Sequence, residues 1–358
     1  MKKICIVVGA RPNFVKVAPL IRAIQKSGGA EYQLVYAGRE DDPTLESSLF
    51  DDLQMPRPDV FLGVGSQRLN EITAQVMGAF DRYLDECPAD VVIVVDDLAS
   101  TMAAAITAKK RGVKLAHLVA GTRSFDIAMP KEVNRLVIDA LSDYLFTAGV
   151  KSTGVATREQ ADGNNTYMVG NILMDSLRYN LPCFRRPDIS VEEGRYIVLT
   201  LNRRALLNDE ENLRQMLQAM AETVGDVPIV APLREPALGM VTNIVTSLCS
   251  SSFVLHPSLS YLEFGWLTAH AKGIITDSGN VAEEATFNGV PCITLNSYTE
   301  HQETVTVGTN VLVGGDTDKL RAALSDIIAG QWKKCALPDR WDGRTAERIV
   351  RILLEGNV

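Results

Sequence analysis

The sequence predicts an α/β protein built from two parallel-sheet halves, and three observations carry that reading. Short apolar runs rich in Val and Ile recur along the chain, each bounded by turn residues. Runs this short and this uniformly apolar suit strands buried on both faces, as in parallel sheets. Amphipathic helical patterns lie between them, so strand and helix alternate. The alternation breaks once and then restarts, and 358 residues suit two domains better than one core.

In the first half the strand candidates are "KICIVVG", "YQLVYAG", "DVVIVVDD", "KLAHLVAG", "YLFTAG" and "TYMVGN". Helical patterns such as "FVKVAPLIRAIQKS" and "RLNEITAQVMGAFDRYLDE" separate them. The start, "MKKICIVVGARPN", has two lysines before an apolar run, but the run is too short for a secretory signal and reads as a first buried strand. After Gly170 the stretch "SLRYNLPCFRRPDISVEEGR", with its prolines and charges, marks a boundary. Alternation resumes with "YIVLTLN", "PIVAPL", "FVLHPS", "GIITDSG" and "PCITLN", and "RTAERIVRILLEG" closes the chain as an amphipathic helix. The expected organisation is a Rossmann-like domain over residues 1–172, a second over 173–340, and a closing helix over 341–358.

Composition narrows the function. A formal charge of −8 argues against a general nucleic-acid binder, though not against a local basic pocket. No apolar run is long enough for a transmembrane helix. The six cysteines are scattered without a CxxC pair, and no His/Cys/Asp spacing points to a metal site. Glycine-rich NAD fingerprints are absent too. The expectation is a soluble, cytoplasmic protein without metal or cofactor.

Three segments carry candidate chemistry. In "VVGARPN" a strand ends at Gly9, and Arg11 and Pro12 open a helix; amides and a guanidinium there suit an anion such as a diphosphate, or the arginine is simply exposed. In "VVDDLAST" Asp96 and Asp97 stand at the C-terminal end of a strand, where ligands gather in open α/β sheets; helix capping is the alternative. In "IITDSGNVAEEATFNGVPCI" Ser278 and Gly279 open a helix that carries Glu283 and Glu284, an arrangement fit for a phosphate and a ribose or for ordinary acidic capping. Of the four histidines, His117 lies in a buried strand and reads as a core residue, whereas His301 follows a turn and is the better functional candidate.

The stretches "GARPNFVKVAPLI", "HLVAGTRSFD", "MPKEVNR", "VGN", "TDSGNVAEEA" and "TVTVGTN" resemble, in order, the non-hydrolysing UDP-N-acetylglucosamine 2-epimerases. The resemblance implies a GT-B-like fold: two Rossmann-like domains around a central cleft, the first on the sugar side, the second holding the nucleotide, and a last helix crossing back to the first. It implies inversion at the sugar C2 without NAD or metal, by elimination and re-addition of UDP. It places Arg11, Ser278 and Gly279 on the diphosphate and Glu284 on the ribose. It puts Arg123, Asn202, Arg135 and His301 in the sugar pocket, and Glu132 and Asn134 on family positions. A homodimer, domain closure on ligand and a setting in surface-polysaccharide precursor synthesis follow from the same resemblance.

Against the family's motifs the reacting end differs. Val119 stands for the glutamate of HVEAG, Lys131 for the first glutamate of PEE, Asn202 for the histidine of GHRR, and Leu233 for the histidine of PVH. Arg39-Glu40 replaces a glutamine–histidine pair, and His301-Gln302 an arginine–proline. The remaining candidates for catalysis are Asp97, Lys131 and Glu132. Three readings follow. The chain binds a UDP-amino sugar and catalyses another step with Asp97 and Lys131, a solvated lysine being the bland alternative for Lys131. Or it is a non-catalytic sensor or partner of an active paralogue. Or it is an active 2-epimerase whose base has moved to Glu40, Glu132 or Asp96.

Overall fold

The computed structural model describes residues 1–159 and 165–355. The chain divides into two compact units, Met1–Tyr179 with Asp339–Val358, and Asn180–Pro338.

The first unit is built on seven strands: β1 (Lys2–Val8), β2 (Ala30–Tyr36), β3 (Val60–Phe61), β4 (Val91–Val95), β5 (Lys114–Ala120), β6 (Tyr144–Thr147) and β7 (Thr166–Met168). They pair in parallel in the order β3-β2-β1-β4-β5-β6-β7. β4, "VVIVV", is buried at every position, as its apolar run predicts. Each such valine contributes roughly 1.5–3 kcal/mol through burial, so a charge at Val94 would break the sheet. Strand order reverses between β1 and β4, and the crevice outside the ends of those two strands is where a doubly wound sheet accepts a ligand.

The second unit repeats the plan with six strands: β8 (Ile197–Thr200), β9 (Ile229–Leu233), β10 (Phe253–Pro257), β11 (Gly273–Thr276), β12 (Cys292–Thr294) and β13 (Asn310–Leu312). Their order is β10-β9-β8-β11-β12-β13, again all parallel. Here the reversal lies between β8 and β11.

The first boundary falls at 179/180, seven residues after the one expected from the prolines. The helix Ile172–Asn180 belongs to the first unit because it is packed there: Ile172, Leu173, Met174 and Leu177 are buried. Its Ser176 hydroxyl donates to the Val15 carbonyl. Its Asp175 carboxylate accepts the amides of Thr345 and Ala346, at 3.0 and 2.8 Å, and so caps the closing helix Thr345–Glu355. That helix buries Ala346, Ile349, Val350 and Leu353 and packs against the helix Arg11–Ser27. Burial pushes the Asp175 carboxyl up to about 6, against the pull of the two amides it caps.

Candidate functional site

At the β1–β4 reversal the chain leaves β1 through Gly9 and Ala10 and enters the helix Arg11–Ser27. Asn13, three residues into it, folds back: its Oδ1 accepts the amides of Gly9 and Ala10 at 3.0 and 3.2 Å. Its Nδ2 donates to Asp96 Oδ2 at 2.7 Å, and Lys16 Nζ sits 2.6 Å from Asp96 Oδ1. Asp96 therefore ties β4 to the first helix rather than capping the helix that follows it. It does so with φ +58°, a left-handed backbone that aspartate tolerates better than most residues.

Asp97, next along, faces the helix Pro130–Leu141. Arg135 Nε and Nη2 both reach Asp97 Oδ2, at 2.8 and 2.5 Å. Lys131 Nζ lies 3.4 Å from Oδ1, with its side chain 60% exposed. Asn134 Nδ2 donates to the Asp97 carbonyl at 2.8 Å. Burial opposes ionisation of Asp97, but Lys131 and Arg135 outweigh it and hold the carboxyl below the usual range.

Glu132 is buried beside them. Its Oε2 accepts from the Ser124 amide, the Ser124 hydroxyl and Arg135 Nη1, and its Oε1 from the Phe125 amide, all at 2.8–3.1 Å. Burial again opposes the charge, and these donors hold the group below the ordinary glutamate value. Glu132 thus clamps the loop between β5 and the helix, including Phe125, which is 75% exposed with φ +61°.

At the end of β5 the ladder with β6 slips by one residue between Leu118 and Ala120. The extra residue is Val119, with φ +74°. A β-branched side chain in left-handed backbone is a strained arrangement. Gly121 also has φ +74°, and there only glycine fits: a Cβ would lie 2.1 Å from the Ser152 carbonyl oxygen.

Beneath this edge runs a buried ionic chain. His117 Nε2 donates to the Asp96 carbonyl at 3.0 Å, and Nδ1 meets Asp139 Oδ1 at 2.5 Å. Asp139 Oδ2 accepts from Arg123 Nη2 at 2.7 Å and from the Gly121 amide at 3.0 Å. Arg123 continues to Glu159 and donates to the Thr122 carbonyl. Although burial resists it, His117 and Arg123 keep Asp139 ionised. Arg123, expected in the sugar pocket, is a brace under the loop with its side chain 1% exposed.

In the second unit Asp277 follows β11. Its Oδ2 accepts the amides of Asn202 and Arg203, each at 2.7 Å, which fixes the loop after β8. Asn296 Nδ2 donates to the Asp277 carbonyl. Ser278 and Gly279 then open the helix Gly279–Asn288, and the Cβ side of Gly279 faces open space. Glu284, one turn in, is 8% exposed and has no hydrogen-bond partner among the described residues. Burial, with Glu283 alongside, pushes its carboxyl up to about 8. Glu283 itself pairs with His301, Nε2 to Oε1 at 3.0 Å.

The structure brings Asp97, Lys131, Glu132 and Arg135 together, and Arg11 stands half-buried at the start of its helix in the same unit. It brings Ser278, Gly279, Glu284, Asn202 and His301 together in the other unit. Lys131 is not the buried amine that a lysine base requires. Asn202 exposes its side chain and is held by its backbone amide, and Leu233 is buried in the second unit's core. Glu40 is exposed on a loop beside Arg39, which pairs with Asp41. Lys16, Asn13 and Asp139 were not among the expected site residues. Lys16 had a signal: a lysine on the buried face of an apolar helix. A cavity of about 640 Å³ adjoins this edge, lined by Gly9, Arg39, Asp41, Ser66 and Ser100. A wider one, about 1080 Å³, lies between the helices Arg11–Ser27 and Thr345–Glu355 and holds none of the expected residues.

Comparison with known proteins identifies the family. The family model for UDP-N-acetylglucosamine 2-epimerase matches residues 22–354. The UDP-N-acetylglucosamine 2-epimerase of Methanocaldococcus jannaschii is 32% identical over 368 residues, covering 99% of each chain. The UDP-2,3-diacetamido-2,3-dideoxy-D-glucuronate 2-epimerase of Pseudomonas aeruginosa is 31% identical over 325 residues, 89% of this chain and 90% of that one. The crystal structure of the M. jannaschii enzyme in complex with UDP-GlcNAc and UDP superposes with a TM-score of 0.86, over 99% of this chain and all of that one. The fold is therefore GT-B-like α/β with two Rossmann-like parallel-sheet domains. With a family model spanning most of its length and relatives aligned nearly end to end, this chain belongs to the UDP-N-acetylglucosamine 2-epimerase family.

Proposed function

We propose that the chain binds a UDP-amino sugar, its second unit taking the nucleotide, and that the family's proton transfer at C2 does not run through the loop after β5. One observation carries this reading. Two carboxylates at the first unit's edge are already held as anions, Asp97 by Lys131 and Arg135, and Glu132 by Arg135 and three N–H or O–H donors, while Asp96 is tied to Lys16 and Asn13. A carboxylate held this way is a weak proton acceptor, and Val119 beside them cannot titrate.

The nucleotide end is supported by residue type and placement. The start of the helix Gly279–Asn288 offers free amides beneath open space, which suits a diphosphate. Glu284, largely neutral at pH 7, both donates and accepts, as a ribose diol asks. Asn202 and His301 stand by the same helix start, and Arg11, a guanidinium at the start of a helix in the first unit, is of the type that contacts a phosphate. Relatives of this chain include an enzyme for a UDP-diacetamido-glucuronate, so the sugar need not be neutral. The role is in surface-polysaccharide precursor metabolism, in the cytoplasm, as a homodimer or beside an active paralogue.

A second reading, an active 2-epimerase, is favoured by the near full-length match, 32% identical, with an enzyme of that name and by Asp97 Oδ1. Among the described residues that oxygen is tied only to the exposed Lys131, at 3.4 Å, and it would take the C2 proton.

NMR with UDP-GlcNAc in D2O separates the two. Line broadening of the nucleotide without loss of the C2 proton signal is the expected result. Deuterium at C2, or UDP-ManNAc, abolished by Asp97→Ala, would replace the first reading with the second. Absence of any broadening with UDP or UDP-GlcNAc would sink both.

A further inference from the structure

The cavity of about 1080 Å³ belongs wholly to the first unit and holds no residue of the proposed function. Ala23, Ala346, Val350 and Leu354 give it an apolar floor. Its walls carry Arg22, Lys26, Arg178, Arg344 and Arg351, in a chain whose formal charge is −8. The acids around it are mostly engaged. Asp175 holds the Thr345 and Ala346 amides, Glu347 faces Lys26 at 3.3 Å, and Asp342, just outside, is paired with Arg348. Glu355 stands at the far end of the closing helix, one turn past Arg351. The arginines are less well matched. Arg22 donates to the Leu53 carbonyl at 3.0 Å and lies over the Tyr179 ring, 3.7 Å from its centroid. Arg178 donates to the Asp342 carbonyl at 2.9 Å. Arg344 and Arg351 are exposed, and neither guanidinium has a hydrogen-bond or ion-pair partner among the described residues. The Arg178 stem runs against Gly343, where a Cβ would lie 2.7 Å from Arg178 Cδ, and so stands beside Arg344. Arg22, on the ring of the residue after Arg178, completes a group of three guanidinium side chains about the start of the closing helix. Like charges gathered this way repel one another unless an anion comes between them, a local conflict of the kind that binding residues create.

We propose that this cavity is a second ligand site, for a small phosphorylated molecule with an apolar body. Arg344, with Arg178 and Arg22 beside it, takes the phosphate, and the floor toward Leu354 takes the rest. Guanidinium groups suit that anion because their N–H forks match its oxygens as charge-assisted hydrogen bonds. Asp175 does not cancel them, since it is 7% exposed and turned on two amides. Arg351 lies two helical turns from Arg344, roughly 10 Å by helical rise, and is too far to share the same phosphate. The cations line the walls of a concavity, where a small molecule reaches them and a flat bilayer does not. The walls come from both pieces of chain that make up the first unit, so a ligand seated there ties the closing helix to the helices Arg11–Ser27 and Ile172–Asn180. The inference stands independently of the proposed function.

The experiment is ligand-observed NMR titration of inorganic phosphate and phenyl phosphate with the full chain, with and without excess UDP, in the wild type, Arg344→Gln and Arg351→Gln. Phenyl phosphate is expected to bind the wild type about tenfold tighter than phosphate, through burial of its ring, and to do so with UDP present. Arg344→Gln is expected to weaken it about tenfold, as loss of one charge-assisted contact should, and Arg351→Gln under about twofold. Thermal scans give a second readout: phenyl phosphate raises Tm in the wild type and not in Arg344→Gln, whose own Tm without ligand is unchanged. No binding, binding that survives Arg344→Gln, or equal losses in the two variants overturns the inference. So does phosphate binding as tightly as phenyl phosphate, since the apolar floor would then contribute nothing. Phenyl phosphate displaced by UDP would place it in the nucleotide site and overturn the second site as well. A chain that fails to bind UDP yet shows the expected pattern would sink the proposed function and leave this inference standing.

Discussion

Arg135 grips one oxygen of Asp97 with two nitrogens, Nε at 2.8 Å and Nη2 at 2.5 Å, while its third nitrogen holds Glu132 at 3.1 Å. One buried guanidinium thus joins the end of β4 to the loop after β5. Removing Asp97 leaves that cation short of its counter-charge. Asp97→Ala is expected to cost about 3 kcal/mol of folding free energy in urea titrations, and Lys131→Gln under about 1 kcal/mol, as an exposed pair should. Equal losses from the two would contradict the division of labour described above. The pH dependence has a definite sign. Asp97 is held below its unfolded value, so its contribution is fully present above the unfolded pKa and is lost as pH falls through the folded one.

Glu284 runs the other way. Its carboxyl is pushed up to about 8 from an unfolded value near 4.5, so between those limits the native state binds more protons than the unfolded chain. Stability must then fall as pH rises through that window. Glu284→Gln is expected to flatten this slope and to raise Tm relative to wild type at pH 8.5. Thermal scans from pH 5 to 8.5 test it, and an unchanged slope in the variant would assign the effect to another group.

Val119 carries a strained backbone. Left-handed conformation costs an L-residue roughly 1–2 kcal/mol, more for a β-branched one, and glycine escapes that cost. Val119→Gly is therefore expected to be neutral or to stabilise by up to about 1 kcal/mol. The same truncation at Val94, buried in the middle of β4, should cost about 3 kcal/mol. Similar losses at both sites would mean that Val119 is held by packing that outweighs its strain.

If the loop after β5 lacks only its proton-handling side chains, they can be supplied. The combined variant Val119→Glu, Lys131→Glu is expected to raise exchange of the sugar C2 proton by at least about 100-fold over wild type, the lower range for one positioned acid or base. NMR in D2O reads it directly. A variant that binds UDP as before and still shows no exchange would place the obstacle in the backbone, with Val119 and Phe125 the first suspects.

Much of this architecture could be read beforehand, for a physical reason. Parallel strands covered on both faces must be apolar throughout, and "ICIVV", "VVIVV" and "GIIT" announce themselves. β3 did not, because two residues, Val60 and Phe61, make no pattern. The domain boundary was drawn at prolines, whereas packing of Leu173 and Leu177 carries the first unit to residue 179. Turn residues at strand ends marked Asp97, Gly279 and Glu284. The pairing of side chains was hidden. His117 and Asp139 lie on different elements, 22 positions apart, and nothing in either stretch names the other. For the same reason Arg123 reads as a pocket residue until Asp139 and Glu159 are seen to enclose it. The left-handed turn at Val119 was the least legible of all, since a β-branched residue is the last one expected there.

The capping of Thr345 and Ala346 by Asp175 reaches beyond stability. The first unit is written in two pieces of chain with the whole second unit between them. On the ribosome, the groove along the helix Arg11–Ser27 emerges early and must wait through some 160 residues of translation for Ile349, Val350 and Leu353 to cover it. Until then the nascent first unit exposes an apolar seam. The second unit, contiguous from Asn180 to Pro338, has every strand in hand by the time its own last helix is made, so the half synthesised later is the one able to finish folding first.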